Sequence, residues 1–411
     1  MIYCLFHALI KITCYFYFKK IRLFNPDKFE NKHPVIICAN HGNSFMDAIL
    51  IAINCKRKLH FLVRSDVFNT PFKRWFFGQL NMMPIYRIRD GREALKNNDA
   101  VFLKCQEILS NNGAIVIFPE GNCVIEKRLR AFKTGFVHLA FNADLPNLRV
   151  QAITLNYSKP DEFYTEASLT FAEPILVNDI KVLANKNEFE FNKLLMKSTY
   201  DLLRKNMVYI EKIEDDFFYE AVLEMKRNDD LLLEESFLNK QIATIAELEN
   251  LRISDMQVFE EIRQKVLLYF NYLKTEEVKD AAVAKNSLSK FKAGLTFPFY
   301  ILGYILNAIP SHFLENTINT KIKERQFKSS VRMVLSLAMY PLYIFTISFF
   351  LNYGFHNYLF SVAIIAGLFG LYYINFSEFN LFRQQNNPKI KKEKIEELKR
   401  LRGEITKYIN L

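Results

Sequence analysis

His41 and Asp47 stand six positions apart in Ala39-Asn40-His41-Gly42-Asn43-Ser44-Phe45-Met46-Asp47, directly after the apolar run Pro34-Val35-Ile36-Ile37-Cys38. Histidine can take and return a proton near neutral pH, and a carboxylate beside it fixes its tautomer and stabilises the imidazolium. His41 and Asp47 are therefore candidates for a general base and its orienting partner. A purely local reading stands beside this one. Ser44 followed three residues later by Asp47 also resembles a capping box, in which the two side chains close the first turn of a helix.

Two further stretches could hold an anion. Met82-Met83-Pro84-Ile85-Tyr86-Arg87 ends an apolar run on an arginine, whose planar fork suits a phosphate, although a surface arginine after a strand can equally be merely solvated. Ile115-Val116-Ile117-Phe118-Pro119-Glu120-Gly121-Asn122 ends a buried run in a turn whose glycine lets backbone amides approach a ligand. It can also be an ordinary exit from a strand. Arg128, Arg130 and Lys133 add three cations close behind that turn.

The elements that would position these residues follow from periodicity. Apolar runs predict strands over 35–38, 59–63, 114–118, 151–156 and 169–171, and helical spacing predicts helices over 45–53, 94–110 and 132–142. Strand and helix alternate, as in an α/β domain, which we place at 31–178. The stretch 179–292 changes to long helical periodicity, with dense charge and no glycine. It reads as an all-α subdomain whose charges form solvated faces, with helices over 188–207 and 242–272.

Half of the 411 residues are apolar, 15% are aromatic, and the formal net charge is +11. Basic and aromatic-rich composition with long apolar runs points to an anionic membrane surface. No zinc-finger or RNA-binding signature is present, so nucleic acid is not expected as a partner. The six cysteines are scattered without a C-x-x-C pair and fit free thiols in a reducing compartment.

Residues 1–30 begin with an apolar segment interrupted by Lys11 and followed by Lys19, Lys20 and Arg22, which reads as an interfacial helix. Within a membrane region at 293–380, the segment 295–310 is short for a span, whereas 331–351 and 359–376 approach the length a bilayer requires and read as a transmembrane hairpin. A buried helical pair in a soluble protein is the other reading. Lys and Arg flank the hairpin on both sides and are missing from its connection, which puts both flanks and the catalytic portion on the cytoplasmic side. The tail at 381–411 reads as a basic amphipathic helix resting on anionic lipid.

The ordered set of motifs resembles the phospholipid/glycerol acyltransferase superfamily. Asn40-His41 with Asp47, Pro84-Ile85-Tyr86-Arg87, Phe118-Pro119-Glu120-Gly121 and the late strand 150–157 stand where its four blocks would stand. Most of that family places four residues between His and Asp, and this chain has five. That spacing, with Ala-Ile-Thr-Leu-Asn-Tyr in the fourth block, resembles the fungal-type glycerol-3-phosphate and dihydroxyacetone-phosphate acyltransferases and their bacterial relatives. A looped-out Gly42 or Asn43 is the expected way to absorb the extra residue.

The resemblance implies a glycerol-phosphate-acyltransferase-like mixed sheet flanked by helices. It implies a membrane-bound enzyme that moves a fatty acyl group from acyl-CoA or acyl-carrier protein to glycerol-3-phosphate or dihydroxyacetone phosphate. A lysophospholipid is the alternative acceptor. His41 and Asp47 would be catalytic. Arg87, Glu120, Gly121, Asn40, Pro119 and Lys133 would bind substrate, with amides near Gly121 supporting the oxyanion. No cofactor or metal is implied. A catalytically degenerate lipid-binding scaffold is the reading from another class.

Overall fold

The computed structural model describes residues 2–87, 90–229, 237–284, 290–354, 378–386 and 392–409. Contacts divide the chain into one unit of Met1–Met207 with Ile322–Met333 and a second of Val208–Lys321 with Val334–Leu411.

The first unit is built on an eight-stranded mixed sheet. Its strands are β1 (Lys20–Phe24), β2 (Val35–Ala39), β3 (Leu59–Arg64), β4 (Met82–Ile85), β5 (Ala114–Ile117), β6 (Arg149–Tyr157), β7 (Glu166–Phe171) and β8 (Ile175–Leu176). They run in the order β1-β7-β6-β2-β5-β3-β4, with β8 beside β6. All pairings are parallel except those of β6 with β7 and β8.

The central strand β2 is buried at every position. Its apolar run needs no alternation because helices cover both faces of the sheet. Val35, Ile37 and Ala39 enter one core with α1 (Ile2–Tyr17) and α2 (Phe45–Asn54). Ile36 and Cys38 point the other way, a consequence of the two-residue period of a strand. They meet α5 (Asn97–Ser110) and α6 (Gly135–Asn142), with α7 (Val177–Leu183) and α8 (Glu188–Lys205) completing that side.

The mixed α/β sheet is the fold expected, and the sequence-based strands recur in it. Three short strands escape periodicity: β1 and β4 at the two edges, and β8. Pro84 sits in β4, where an edge position spares it a ladder bond. The helix predicted over 94–110 divides into α4 (Arg92–Leu95) and α5, and the one predicted over 132–142 starts only at Gly135. Helix α3 (Pro71–Gln79), between β3 and β4, has no counterpart among the expected elements.

The second unit is helical: α9 (Asp216–Asn228), α10 (Phe237–Ser254), α11 (Met256–Thr275), α12 (Asp280–Ala284) and α13 (Lys290–Lys321). The stretch expected as one helix over 242–272 breaks before Asp255, whose side chain caps α11 through the Val258 amide at 3.1 Å. Not all of this unit's charges are solvated. Buried Asp215 holds Arg252 at 2.9 Å, and buried Asp280 takes Arg402 Nε at 2.8 Å and Tyr269 Oη at 2.7 Å.

Helix α14 (Arg325–Gly354) contains the expected span 331–351, and its residues up to Met333 belong to the first unit. The other expected span, 359–376, lies outside the described residues. Among the described residues no single helix is long and apolar enough to cross a membrane. Phe291–Pro298 and Gly303–Lys321 meet the requirement together, across a 64° bend in α13. Pro298 closes the first of these two segments.

Two further helices, α15 (Glu378–Gln385) and α16 (Lys392–Ile409), follow. The amphipathic tail forms as α16, but its apolar positions Ile395, Leu398 and Ile405 are buried in the second unit. Protein, not lipid, covers that stripe.

Candidate active site

Three parallel strands end at one edge of the sheet and deliver the motif residues there. β2 leads into the His41 loop, β5 into Phe118-Pro119-Glu120-Gly121, and β6 ends on Tyr157, beside β2. The carboxyl ends of parallel strands are where open α/β sheets bind ligands.

His41 Nδ1 lies 2.9 Å from Asp47 Oδ2. A carboxylate only accepts, so Nδ1 carries the proton and Nε2 is left as the basic nitrogen. The His41 side chain is 19% exposed while Asp47 is fully buried. The Phe118 ring stacks on the imidazole, with centroids 4.1 Å apart and planes 17° apart.

Asp47 is saturated by donors. Oδ2 also accepts the Asn43 amide at 2.8 Å, and Oδ1 accepts the Tyr157 hydroxyl at 2.6 Å. Burial raises the Tyr157 phenol well above its ordinary range and the neighbouring Asp47 charge adds to this, so the phenol remains a donor.

The capping box does not form, because the Ser44 side chain makes no cap bond and Asp47 reaches His41, Asn43 and Tyr157 instead. Within the loop Ser44 has φ of 47° and ψ of −131°, unusual for a side-chain-bearing residue. Gly42 and Asn43, the residues expected to loop out, have no positive φ. The Ser44 amide donates to Cys123 Sγ at 2.9 Å, and the Met46 amide donates to Ser330 Oγ at 3.2 Å. Ser330 belongs to the segment Ile322–Met333, which packs in the first unit.

Several expected substrate ligands are committed to the scaffold. Asn40 donates to the Leu155 carbonyl at 2.9 Å and accepts the Leu155 amide at 2.8 Å, pinning the loop to β6. Glu120 is only 7% exposed, and its two oxygens accept the His41 amide at 2.9 Å and the Arg130 amide at 3.2 Å. A carboxylate so placed brackets two loops and offers nothing attractive to a phosphate. Burial pushes its carboxyl up to about 7, against the pull of the two amides.

Gly121 has φ of 71°, the left-handed region that favours glycine. Its N–H donates to the Phe118 carbonyl at 3.0 Å, so that amide is not available to an oxyanion. The Pro119 carbonyl accepts the Lys133 amide at 2.7 Å, and a Cβ on Gly121 would lie 3.4 Å from Lys133 Cγ. Residues 130–133 are thus tied to the Pro-Glu-Gly turn, and the exposed Lys133 side chain lies along it.

Arg87 is placed differently. It follows β4, three strands from β2, or about 14 Å at ordinary strand spacing. Its Nη2 lies 3.2 Å from Asp90 Oδ1 and 3.4 Å from Asp66 Oδ2. Its Nη1 is buried with no partner among the described residues.

His41, Asp47 and Cys123 present ligand atoms within 4.8 Å of one another, a spacing that one metal ion could bridge. Each of these atoms already has a use: Nδ1 meets Asp47, and Sγ receives the Ser44 amide. Burial also pushes the Cys123 thiol up, away from the thiolate that a metal requires. The arrangement suits proton transfer.

Tyr157, Phe118, Cys123 and Ser330 carry no assigned role in the sequence reading. Tyr157 had a signal, since it is the polar aromatic that closes the last strand of the motif set. Ser330 had none, at 287 positions from Asn43.

Residues 20–154 match the family model described as Acyltransferase. Over 144 residues the chain is 26% identical to a probable 1-acyl-sn-glycerol-3-phosphate acyltransferase of Mycoplasma pneumoniae, covering 34% of this chain and 52% of that protein. It is 29% identical over 130 residues to a 1-acyl-sn-glycerol-3-phosphate acyltransferase of Chlamydomonas reinhardtii, covering 32% and 35%. The match thus spans about half the length, or less, of these curated relatives. A crystal structure of a 1-acyl-sn-glycerophosphate acyltransferase from Thermotoga maritima aligns with TM-score 0.36 and 17% identity, over 48% of this chain and 75% of that one. Residues 20–154 thus match the Acyltransferase family, and the ordered motifs within them support the phospholipid/glycerol acyltransferase superfamily.

Proposed function

We propose that the protein transfers a fatty acyl group from an acyl thioester, acyl-CoA or acyl-carrier protein, to the free hydroxyl of a 1-acylglycerol-3-phosphate. The observation that carries this reading is the 2.9 Å contact between His41 Nδ1 and Asp47 Oδ2, which leaves Nε2 basic in a partly exposed ring. Nε2 takes the proton of the acceptor hydroxyl while its oxygen bonds to the thioester carbonyl carbon. The tetrahedral adduct then expels the thiolate, which recovers the proton from the imidazolium. One C–O bond forms, one C–S bond breaks, and no electrons leave the pair. Proton transfer of this kind contributes about 10² to 10⁴ in rate, and alignment of the two substrates adds to it.

Lys133, whose amide is tied to the Pro119 carbonyl in the turn that Glu120 links to His41, is a candidate cation for the acceptor phosphate. Arg87 would have to turn from Asp66 and Asp90 to reach it. The relatives' names favour the lysophosphatidate acceptor. The five residues between His41 and Asp47 favour a second acceptor, glycerol-3-phosphate, through the branch they resemble. An insoluble acyl chain and product suit a membrane-bound protein whose catalytic portion faces the cytoplasm, and the basic flanks of the apolar segments support that placement.

The test is acyl transfer by the purified full chain in detergent. Labelled palmitoyl-CoA, and then palmitoyl-carrier protein, is offered with 1-acylglycerol-3-phosphate, glycerol-3-phosphate or dihydroxyacetone phosphate, beside His41→Ala. Transfer to lysophosphatidate that drops about 10² to 10⁴-fold in the variant is expected. Transfer that survives His41→Ala, or none to any acceptor from either donor, would overturn the reading.

A further inference from the structure

We infer that helix α3 is a docking helix for an anionic lipid surface. A helix that crosses between two parallel strands ordinarily covers the sheet with an apolar face. α3 connects parallel β3 and β4, yet none of its residues is buried. It nevertheless carries four aromatic residues in Pro-Phe-Lys-Arg-Trp-Phe-Phe-Gly-Gln. Phe72 is 68% exposed and Trp75 is 55% exposed. Phe72 stacks on Phe76 with centroids 6.0 Å apart and meets Trp75 at 6.1 Å, so the rings form one apolar surface.

That surface continues onto α1. Phe6 meets Phe76 edge to face at 5.4 Å, and Leu9 and Phe16, both exposed, share the helical face of Phe6. Neither helix contains an acidic residue. Lys73 and Arg74 interleave with the rings and make their contacts to uncharged groups, the Asn69 side chain and the Phe68 carbonyl. Exposed Phe and Trp beside Lys and Arg, without a carboxylate, match the headgroup region of an anionic bilayer, where rings sink below the phosphates and cations stay among them.

The position gives the docking a purpose, and this consequence rests on the acyl-transfer reading. β3 ends at the same edge of the sheet as β2 and β5, and α3 follows that end after one short turn, Ser65–Phe68. Lipid bound to α3 therefore lies against the edge that carries His41, where an acyl chain has to arrive.

Trp75 is the one tryptophan of the chain, so its fluorescence reports on α3 alone. The full chain is reconstituted into vesicles of phosphatidylcholine with phosphatidylglycerol, some carrying a doxyl quencher near the headgroup and others at the chain end. A blue shift on moving from detergent-free buffer dispersions to vesicles is expected, with stronger quenching by the shallow label than by the deep one. Lys73→Glu with Arg74→Glu should remove the preference for phosphatidylglycerol over phosphatidylcholine alone, and Phe72→Ser should weaken the shallow quenching, with circular dichroism unchanged. Emission that neither label quenches, in vesicles that retain the protein, would overturn the proposal. If that emission is nevertheless blue-shifted, protein covers α3. The readout needs no turnover, so failure of acyl transfer and failure of docking are separate results.

Discussion

The Tyr157 hydroxyl donates to Asp47 Oδ1 at 2.6 Å, on the oxygen that His41 does not use. The last residue of β6 thereby fixes the rotation of the carboxylate that in turn fixes the imidazole. Asp47 has three donors converging on it, from Asn43, His41 and Tyr157, and only the last comes from outside its own loop.

Tyr157→Phe removes that hydroxyl and keeps the ring, which is 8% exposed. A hydrogen bond to a charged acceptor contributes about 1.5–3 kcal/mol, so the variant should lose roughly 10- to 100-fold in kcat. The KM for the acyl donor should hold, because the buried phenol is spent on Asp47. Steady-state kinetics check this, with kcat falling while KM holds. Equal losses in kcat and in folded fraction would instead make Tyr157 a packing residue.

Glu120 predicts an inverted dependence of stability on pH. Its carboxyl stands at about 7 in the fold against an ordinary 4.5, with burial as the leading cause. A raised carboxyl contributes stability that is complete below the unfolded value and is lost as pH rises through the folded one. The fold should therefore lose up to about 3 kcal/mol between those two values. Thermal unfolding of the wild type in detergent should show a midpoint that declines across this window. Glu120→Gln should flatten the decline, at a lower midpoint in acid, because one amide oxygen replaces two acceptors for the His41 and Arg130 amides. A wild-type midpoint that is level or rises across the window would contradict the assignment.

The sheet was legible because its chemistry is local. Val35 to Cys38 and Ile115 to Ile117 are apolar without interruption, and only a strand covered on both faces asks for that. β4 was hidden by Pro84, which argues against a strand except at an edge, and no periodicity says where an edge will be. The His41–Asp47 pair could be read from spacing, since both residues lie on one loop. Glu120 could not, because a carboxylate after a strand looks the same whether it faces a ligand or accepts the amides of two other loops. The α16 stripe misled for a related reason: amphipathicity reveals an apolar face but not whether lipid or protein covers it.

The five-residue spacing between His41 and Asp47 leads to the last prediction. Ser44, inside that loop, has a strained conformation, which costs of order 1–3 kcal/mol and persists only where the surroundings hold it. Those surroundings include a segment far along the chain. Ser330 Oγ accepts the Met46 amide at 3.2 Å, and Ser329 Oγ donates to the Pro160 carbonyl at 2.5 Å. Asn43 donates to the same Pro160 carbonyl at 2.8 Å. Arg325 pairs with Asp161 at 2.8 Å beside them, but its side chain is 67% exposed. Exposed ion pairs contribute little, whereas buried hydroxyls that satisfy backbone groups contribute about 1 kcal/mol each. Ser329→Ala with Ser330→Ala should therefore lower kcat by roughly 10-fold, while Arg325→Ala should leave it within about 2-fold of wild type. The rate at which diethyl pyrocarbonate modifies His41, followed by mass spectrometry, reads the loop without turnover and should change only in the double variant. If it is unchanged there, the loop holds its strained shape by itself, and the Ile322–Met333 segment is packing and nothing more.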